Sequence, residues 1–283
     1  MRADATASEH ALLRPGWQDR DLAALIADYR RDGFAVLRGV ASPAALEAMR
    51  QRSDDLMLGR VDGAPFFFQH DAPTGRYEDM PLGEGWIGPS LGYRKLEKLE
   101  RDPVFRAWLE NPLFERIART LVGDQVALYR AILMTKPARG PSAAGGTVLP
   151  WHQDGGRLWG LDNDPEVQLW TALDDAPLAA GCMTFAIGSH HAGLATPLGG
   201  AVPPDVVARA APTLREVALP AAAGDVVLLH NMVWHASGLN ATELPRRAFS
   251  VCFMPAATRC VRKKKAPRTF PRVFAPRAPD AAD

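Results

Sequence analysis

The spacing of apolar residues is helical near the N-terminus of the chain and predicts two helices separated by a strand. The first set of apolar positions at helical spacing is Leu22, Leu25, Ile26 and Tyr29. This pattern ends before Gly33, and the apolar run 34–37 predicts a short strand. Ser42 is a helix-capping residue type and Pro43 suits a first helical turn, so the next helix is predicted over 44–56.

A second helical block is predicted from about Tyr93 to Leu121, with a break at Asn111-Pro112. The buried stripe of this block is Phe105, Leu109, Leu113, Ile117 and Leu121. The charged residues at its start are interpreted as ion pairs on the helix surface: Arg94, Lys95, Glu97, Lys98 and Glu100. The predicted helices form a front at about 18–122 that supports a sheet.

From residue 125 the pattern changes to short β-rich runs separated by Gly, Pro and Asp. These runs are 126–134, 167–173, 182–187, 226–230 and 248–254. Many short strands after a helical front predict a mainly β fold with flanking helices and a jelly-roll core, the double-stranded β-helix of cupins, at about 123–256. Residues 1–283 are expected to form a single domain, and about 257–283 form a basic extension.

Composition narrows the classes of function. The formal net charge of +1 gives no reason to expect nucleic acid or an anionic membrane as a partner, so a small molecule is expected. No apolar run approaches the ~18 residues of a membrane span. The cysteines are Cys182, Cys252 and Cys260; their odd number and the absence of a C-x-x-C pair argue against disulfides and structural zinc, and favour the cytoplasm. No pattern indicates an oligomeric state.

The segment from Trp151 to Gly156 carries a candidate metal site. On a strand, His152 and Asp154 project from the same face while Gln153 points away. A third ligand is expected from His235, because a second strand pattern leads directly to it. Two histidines and one carboxylate are the ligand set of non-haem Fe(II) oxygenases, which leaves coordination positions open for a co-substrate and O2. The competing histidines His190, His191 and His230 are interpreted as turn, packing or outer-shell residues.

The order and setting of several motifs resemble the phytanoyl-CoA dioxygenase family of Fe(II)/2-oxoglutarate-dependent oxygenases. The segments that carry this resemblance are 28–40, 133–137, Trp151-His152-Gln153-Asp154, 169–173, 186–190, His235-Ala236-Ser237-Gly238 and Pro245-Arg246-Arg247. The resemblance covers most of the chain. It implies a jelly-roll core that carries His152, Asp154 and His235 as ligands to iron.

The co-substrate 2-oxoglutarate requires a cation for its distal carboxylate, and a guanidinium binds a carboxylate in bidentate fashion. Arg246 is the candidate, since strand parity places it on one face with Ala248 and Ser250, whereas Arg247 is interpreted as a surface charge. The family resemblance selects the same position. It also implies the co-substrate contacts Lys136, Trp170 and Ser237; for Trp170 an ordinary core aromatic remains an equal alternative.

These roles predict a dioxygenase that hydroxylates a C–H bond of a small molecule, such as a secondary metabolite or an acyl compound, with release of succinate and CO2. A non-enzymatic jelly-roll protein that binds or senses a metal is the alternative. The cation pair Lys136 and Arg246 favours the oxygenase, because a metal-binding module has no use for it.

Three loops are candidates for covering the site: 66–86, 137–147 and 194–206. For 137–147 and 194–206 the alternative is a disordered surface connection. For 66–86, which is expected to supply apolar contacts to substrate, a buried hairpin is an equal alternative.

The basic residues of the C-terminal extension are Arg262, Lys263, Lys264, Lys265, Arg268 and Arg272. They are interpreted as a solvated extension rather than a nucleic-acid patch, since no matching basic face is evident elsewhere.

Overall fold

A computed structural model describes residues 12–14, 22–61, 66–81, 85–139, 146–263 and 266–274. Its helices are α1 (Leu22–Asp32), α2 (Pro43–Met57), α3 (Pro103–Leu109), α4 (Pro112–Val122) and α5 (Pro204–Ala210). Its strands are β1 (Phe34–Leu37), β2 (Phe67–His70), β3 (Tyr93–Glu97), β4 (Val126–Lys136), β5 (Leu149–Gln153), β6 (Val167–Ala172), β7 (Met183–Ala186), β8 (Gly200–Ala201), β9 (Glu216–Leu219), β10 (Val226–His230), β11 (His235–Ser237) and β12 (Arg246–Pro255). Within these residues, no helix is long and apolar enough to cross a membrane.

The strands form two antiparallel sheets. The larger sheet has the order β1-β10-β6-β12-β4-β3-β2, and the smaller one has the order β8-β5-β11-β7-β9. A pocket lies between them, lined by residues of β4, β6 and β12 on one side and of β5, β7 and β11 on the other. This arrangement is the predicted jelly roll, and the predicted fold class is confirmed.

Helices α1 to α4 pack against the outer face of the larger sheet, whereas α5 packs near the smaller one. Phe105 of α3 contacts Phe249 of β12 with 4.8 Å between ring centroids, and the Trp108 indole N–H donates a 2.9 Å hydrogen bond to Oγ1 of Thr171. The side chains of Ser42 and Asn111 accept hydrogen bonds from the first turns of α2 and α4, and a proline follows each, which explains where these helices begin. The inner face of the sheet is thereby left to the pocket.

The predicted helical front was wrong in one part. Residues Tyr93–Glu97 form strand β3 rather than the start of a helix, and β3 pairs with both β2 and β4. Alternating charges suit a helix surface, but pairing with the long strand β4 satisfies the backbone hydrogen bonds of this segment. Lys95 and Glu97 are therefore neighbours on one face of a strand, with Nζ and Oε1 3.3 Å apart.

Most residues of the described part of the C-terminal extension are exposed, while the backbone of Pro271 and Val273 pairs with β4. The Leu128 amide donates to the carbonyl of Pro271 at 2.9 Å, and the Val273 amide donates to the carbonyl of Val126 at 3.1 Å. Arg268 stacks on Tyr129 at 4.7 Å from the ring centroid, so at least this part of the basic charge is used within the fold. Lys264 and Lys265 lie outside the described residues.

Candidate metal centre

Strand pairing brings the two predicted histidine ligands together. His235 of β11 is the register partner of His152 of β5, although 83 residues separate them (152 to 235). Side chains directly opposite each other on an antiparallel pair project from the same face. The two imidazole rings are 4.0 Å apart between centroids and point into the pocket.

Both rings use Nδ1 in the same way. Nδ1 of His152 lies 2.9 Å from the carbonyl oxygen of Pro150, and Nδ1 of His235 lies 3.0 Å from that of Val233. A carbonyl only accepts, so Nδ1 carries the proton and the lone pair is on Nε2, the tautomer of a metal-ligating histidine. Burial, and then the neighbouring His235, lower the pKa of His152 to about 3, so that its ring is neutral near pH 7 as a ligand must be.

Asp154 follows the end of β5 and completes the group. Its Oδ2 is 3.8 Å from Nε2 of His235. The same oxygen accepts hydrogen bonds from Nε2 of Gln168 at 2.6 Å and from Nη2 of Arg130 at 3.1 Å. Two hydrogen bonds with Asn231 hold its backbone. The Asp154 amide donates to the Asn231 carbonyl at 2.8 Å, and the Asp154 carbonyl accepts from Nδ2 of Asn231 at 2.9 Å. The carboxylate is therefore fixed from both sides.

The charges around Asp154 keep it ionised. Burial acts to raise the pKa of its carboxyl, but the charge of Arg130, then His235 and His152, and the hydrogen bond from Gln168 outweigh it and hold the pKa below its usual value. Within the described residues, no three His, Cys, Asp or Glu side chains already converge as a closed metal site. The three predicted ligands are adjacent, with the carboxylate turned toward Arg130 and Gln168.

Lys136 and Arg246 form a cation pair beside this centre. They are register partners on β4 and β12, both are buried, and both line a small cavity together with Ser237. Nζ of Lys136 donates to the carbonyl of Thr147 at 2.6 Å, and Nη2 of Arg246 donates to that of Gly181 at 2.5 Å. Among the described residues neither cation forms a salt bridge, and the buried Nε of Arg246 has no hydrogen-bond partner.

The charged residues that line this cavity are the cations Lys136, Arg246 and Arg94 and the carboxyl group of Asp71, so positive charge is in excess and an anion is favoured. Burial, followed by the charge of Arg246, lowers the pKa of Lys136 well below its usual value, and burial lowers the pKa of Arg246 to about 10. An anion would remove both penalties. Trp170 is buried and lines the main pocket, with the Arg246 guanidinium 5.7 Å from its ring centroid. The four predicted co-substrate contacts are Lys136, Trp170, Ser237 and Arg246. They therefore lie together where the small cavity meets the main pocket.

The interpretation of Arg247 as a surface charge was wrong. Its side chain is only 12% exposed, and its Nε donates to Oδ2 of Asp174 at 2.8 Å. Its Nη1 is 2.7 Å from Oδ1 of Asp54 on α2. Strand parity did place it opposite Arg246, but the outer face of β12 is covered by helices and is not solvent.

Sequence reasoning missed two polar residues of the pocket, Arg130 and Gln168. Both are register partners of Cys252 on the central strand β12, one from β4 and one from β6, and so they meet beside Asp154. A signal was present for Arg130. It shares strand parity with Lys136 in an otherwise apolar strand, and a charged residue there faces either a partner or a site.

The main pocket has a volume of about 310 Å³. Its apolar walls include Tyr77, Met80, Ile132, Met134, Leu158 and Trp159.

Segment 66–86 combines both alternatives considered for it, since 67–70 form a hairpin strand while Tyr77 and Met80 reach the pocket. From 194–206, Gly200 lines the pocket, and β8 pairs with the strand of His152. Residues 140–145 of the third loop lie outside the described residues.

The remaining predicted histidines lie away from this pocket. His190 and His191 belong to a short 3-10 helix, and their Nε2 atoms contact the carbonyls of Arg30 and Arg31 at 3.0 and 3.1 Å. His230 stacks on Tyr29 with centroids 5.8 Å apart. These positions agree with turn and packing roles.

Comparison with known proteins gives consistent results. A bovine phytanoyl-CoA dioxygenase domain-containing protein 1 is 27% identical over 270 residues, covering 81% of this chain and 88% of its own. The epimerase SnoN in complex with Fe3+, alpha ketoglutarate and nogalamycin RO has a TM-score of 0.65 at 21% identity, with 92% of this chain and 96% of that chain covered. EctD from S. alaskensis with 2-oxoglutarate and 5-hydroxyectoine has a TM-score of 0.68 at 18% identity, covering 94% and 90%.

The structural similarities show the fold, and the sequence match shows the family. The phytanoyl-CoA dioxygenase (PhyH) family model matches residues 29–248, which include the three predicted ligands and the cation pair. The chain therefore belongs to the phytanoyl-CoA dioxygenase family and is an oxygenase dependent on Fe(II), 2-oxoglutarate and O2.

Proposed function

We propose that the protein hydroxylates a C–H bond of a small molecule, with His152, Asp154 and His235 as the ligands of Fe(II). The observation that carries this proposal is the cross-strand pair of imidazoles whose Nδ1 atoms are both held by backbone carbonyls, which leaves both Nε2 atoms directed into the pocket beside the Asp154 carboxylate. Two neutral ligands and one anionic ligand suit a divalent ion that must also accept an anionic co-substrate.

The distal carboxylate of 2-oxoglutarate is proposed to bind Lys136 and Arg246, with Ser237 and Trp170 beside them. The cation pair is buried, and the orphan Nε of Arg246 is a donor without an acceptor, which is costly unless a ligand supplies one. A guanidinium and an ammonium that face one cavity match a single carboxylate in both charge and hydrogen bonds.

When bound together, iron, 2-oxoglutarate and O2 supply an oxidant strong enough to break a C–H bond. The chain's own residues prepare the site for it. Gln168 and Arg130 fix the carboxylate of Asp154, while the carbonyls of Pro150 and Val233 fix the two rings. The apolar walls keep water away from the reacting carbon and orient the substrate, whose placement decides which bond reacts.

The test is an anaerobic titration of the metal-free protein with Fe(II) and 2-oxoglutarate, monitored by the visible charge-transfer band of the chelate. We expect the band in the wild type and its loss in Asp154→Ala. Tight metal binding without a band would instead identify a metal-binding or sensor protein.

A paired variant tests the cation site. Arg246→Gln is expected to weaken 2-oxoglutarate binding by roughly 100-fold, since a charge-assisted bidentate contact is removed. Arg247→Gln, the adjacent arginine on the outer face of β12, should leave 2-oxoglutarate affinity unchanged in whatever fraction folds. With the band established, succinate release in the presence of candidate substrates, followed by mass analysis for the addition of one oxygen atom, tests hydroxylation itself.

A further inference from the structure

Arg130 enters the pocket beside the metal centre, yet it belongs neither to the three proposed ligands nor to the proposed 2-oxoglutarate site. It lines the pocket with Ile132 on the inner face of β4. Its guanidinium carbon is 4.4 Å from the centroid of the Trp159 ring and 6.0 Å from that of Tyr129. Stacking on Trp159 fixes the plane of the guanidinium without using its N–H donors, of which only those on Nη2 are engaged by described residues.

The ion pairs at this end of the pocket distinguish Arg130 from its basic neighbours. Besides Arg246, the basic residues that line the main pocket are Arg94, Lys95 and Arg130, and Arg94 also lines the small cavity of Lys136 and Arg246. Each of the three forms an ion pair with one carboxylate: Arg94 with Asp71 at 3.9 Å, Lys95 with Glu97 at 3.3 Å, and Arg130 with Asp154 at 3.1 Å. Only the third carboxylate is a proposed metal ligand. Once its charge is shared with a metal ion, Arg130 is left with the least compensated charge of the three.

Holding Asp154 in place does not by itself account for Arg130. Gln168 already donates a shorter hydrogen bond, 2.6 Å, to the same Oδ2. Arg130 uses only Nη2 for its contacts with Asp154 and Gln168, the latter at 3.5 Å. Its buried Nε has no partner among the described residues, and Nη1 makes no hydrogen bond to them either. A guanidinium with unused donors in a partly apolar pocket favours an anionic ligand.

We propose that Arg130 binds a carboxylate of the substrate, so that the substrate is a monoanionic carboxylic acid with an apolar body. This inference rests on the proposed function, because it assigns Asp154 to the metal. A single uncompensated cation matches a single negative charge, whereas a phosphate dianion would leave excess negative charge next to Asp154. Tyr77, Met80 and Ile132 provide the apolar surface for the rest of the molecule.

The experiment compares two probes of similar shape that differ in charge, 3-phenylpropanoate and 3-phenylpropanamide. Their binding is measured by calorimetry at neutral pH on the full chain loaded with 2-oxoglutarate and Zn(II), an ion without redox chemistry. We expect the wild type to bind the carboxylate at least about tenfold more tightly than the amide. In Arg130→Gln this ratio should fall to about one while affinity for the amide is retained, and Arg130→Lys should keep part of the preference.

The control for general loss of charge is Arg209→Gln. Arg209 lies exposed on α5 and pairs with Asp205 at 2.7 Å, so its substitution should leave the ratio unchanged. A wild type that binds both probes equally, or binds neither, overturns the inference, as does an Arg130→Gln variant that keeps the preference.

The chelate band of the Fe(II) complex separates the two hypotheses. A band in both the wild type and Arg130→Gln, without any preference for the carboxylate, overturns the inference and leaves the proposed function intact. Loss of the band in Arg130→Gln alone shows that Arg130 serves to position Asp154, which also overturns the inference. A wild type without the band is the failure of the proposed function itself.

Discussion

The described residues contain two groups of close histidines, and the proposed metal ligands belong to one of them. His152 and His235 face each other across a strand pair with centroids 4.0 Å apart. His190 lies 4.0 Å from His191 and 4.9 Å from His230 on the same measure, so the second group has more imidazoles at similar separations. Number and proximity of rings therefore do not distinguish the groups.

The two groups differ in which ring nitrogen forms the hydrogen bond to the backbone. In the first group Nδ1 donates to a carbonyl two residues earlier, and Nε2 is free to accept. In the second group Nε2 of His190 and of His191 donates to the end of α1, while Nδ1 of His230 accepts from the Met232 amide at 3.0 Å. The first group also has Asp154 within reach, whereas the second is directed at a helix terminus, where it stabilises the backbone.

The largest expected effect is a loss of metal affinity when a ring of the first group, but not of the second, is replaced by alanine. His235→Ala should lower the affinity for divalent metal by more than about 100-fold, because a ligand and its orientation are lost together. His190→Ala should leave metal affinity within about twofold of the wild type. Calorimetric titration of both variants with Fe(II) under anaerobic conditions checks this, and equal losses would contradict the distinction between the groups.

A substitution next to the first group tests whether its metal affinity depends on the hydrogen bonds that hold Asp154. Gln168→Leu removes the 2.6 Å hydrogen bond to Oδ2 of Asp154 without touching a ligand, and is expected to weaken metal binding by about 10- to 100-fold. Gln51→Leu is the matched control, because Gln51 lies exposed on α2 and bonds only to Asp55 at 3.0 Å. Metal titration of both variants, with circular dichroism to verify folding, provides the measurement.

The second group should make the free energy of unfolding depend on pH. Burial, then the charges of His190 and His191, lower the pKa of His230 to about 4 from its ordinary 6.5. Between these values the unfolded chain binds a proton that the folded chain does not. The free energy of unfolding should therefore fall as the pH is lowered from about 6.5 to about 4, by at most on the order of 3 kcal/mol.

Urea unfolding of the metal-free protein at several pH values measures this slope. His230→Phe keeps an aromatic ring against Tyr29 and removes the titrating group, so its slope in the same window should be smaller than that of the wild type. An unchanged slope would assign the pH dependence to other residues.

The smallest effects are expected where the second group meets α1. His190 is buried and His191 is exposed, and each donates one hydrogen bond to a backbone carbonyl. We expect His190→Ala to lower the free energy of unfolding by about 1.5 kcal/mol and His191→Ala by about 0.5 kcal/mol, since an exposed carbonyl regains water. Denaturant unfolding at pH 7 compares the two, and the reverse order would contradict a role that depends on burial.

The three proposed metal ligands could be selected from the sequence because local rules apply to them. His152 and Asp154 are two positions apart at the end of a strand, and the strand pattern before His235 marked the third position. Parity along β12 likewise separated Arg246 from Arg247. Each of these inferences needs only the period of a strand, and the family resemblance supplied the pairing between distant segments.

Arg130 and Gln168 could not be predicted in the same way, because their roles depend on sheet register. They meet Asp154 only because β4 and β6 both flank β12. Strand β3 was misread for a related reason. Its Lys and Glu residues suit a helix surface, and pairing with β2 and with β4, which begins 29 residues further along (97 to 126), makes it a strand.

The pairing of β5 with β11 also determines when the two proposed histidine ligands come together. The two rings become neighbours only after the smaller sheet has closed over 83 residues of chain (152 to 235), and contacts of such separation carry a large loop-closure cost. A nascent or unfolded chain therefore has no assembled ligand set, and the ion binds the native state and stabilises it by mass action. With His152 and His235 as the proposed ligands, the expected order is folding first and iron binding second.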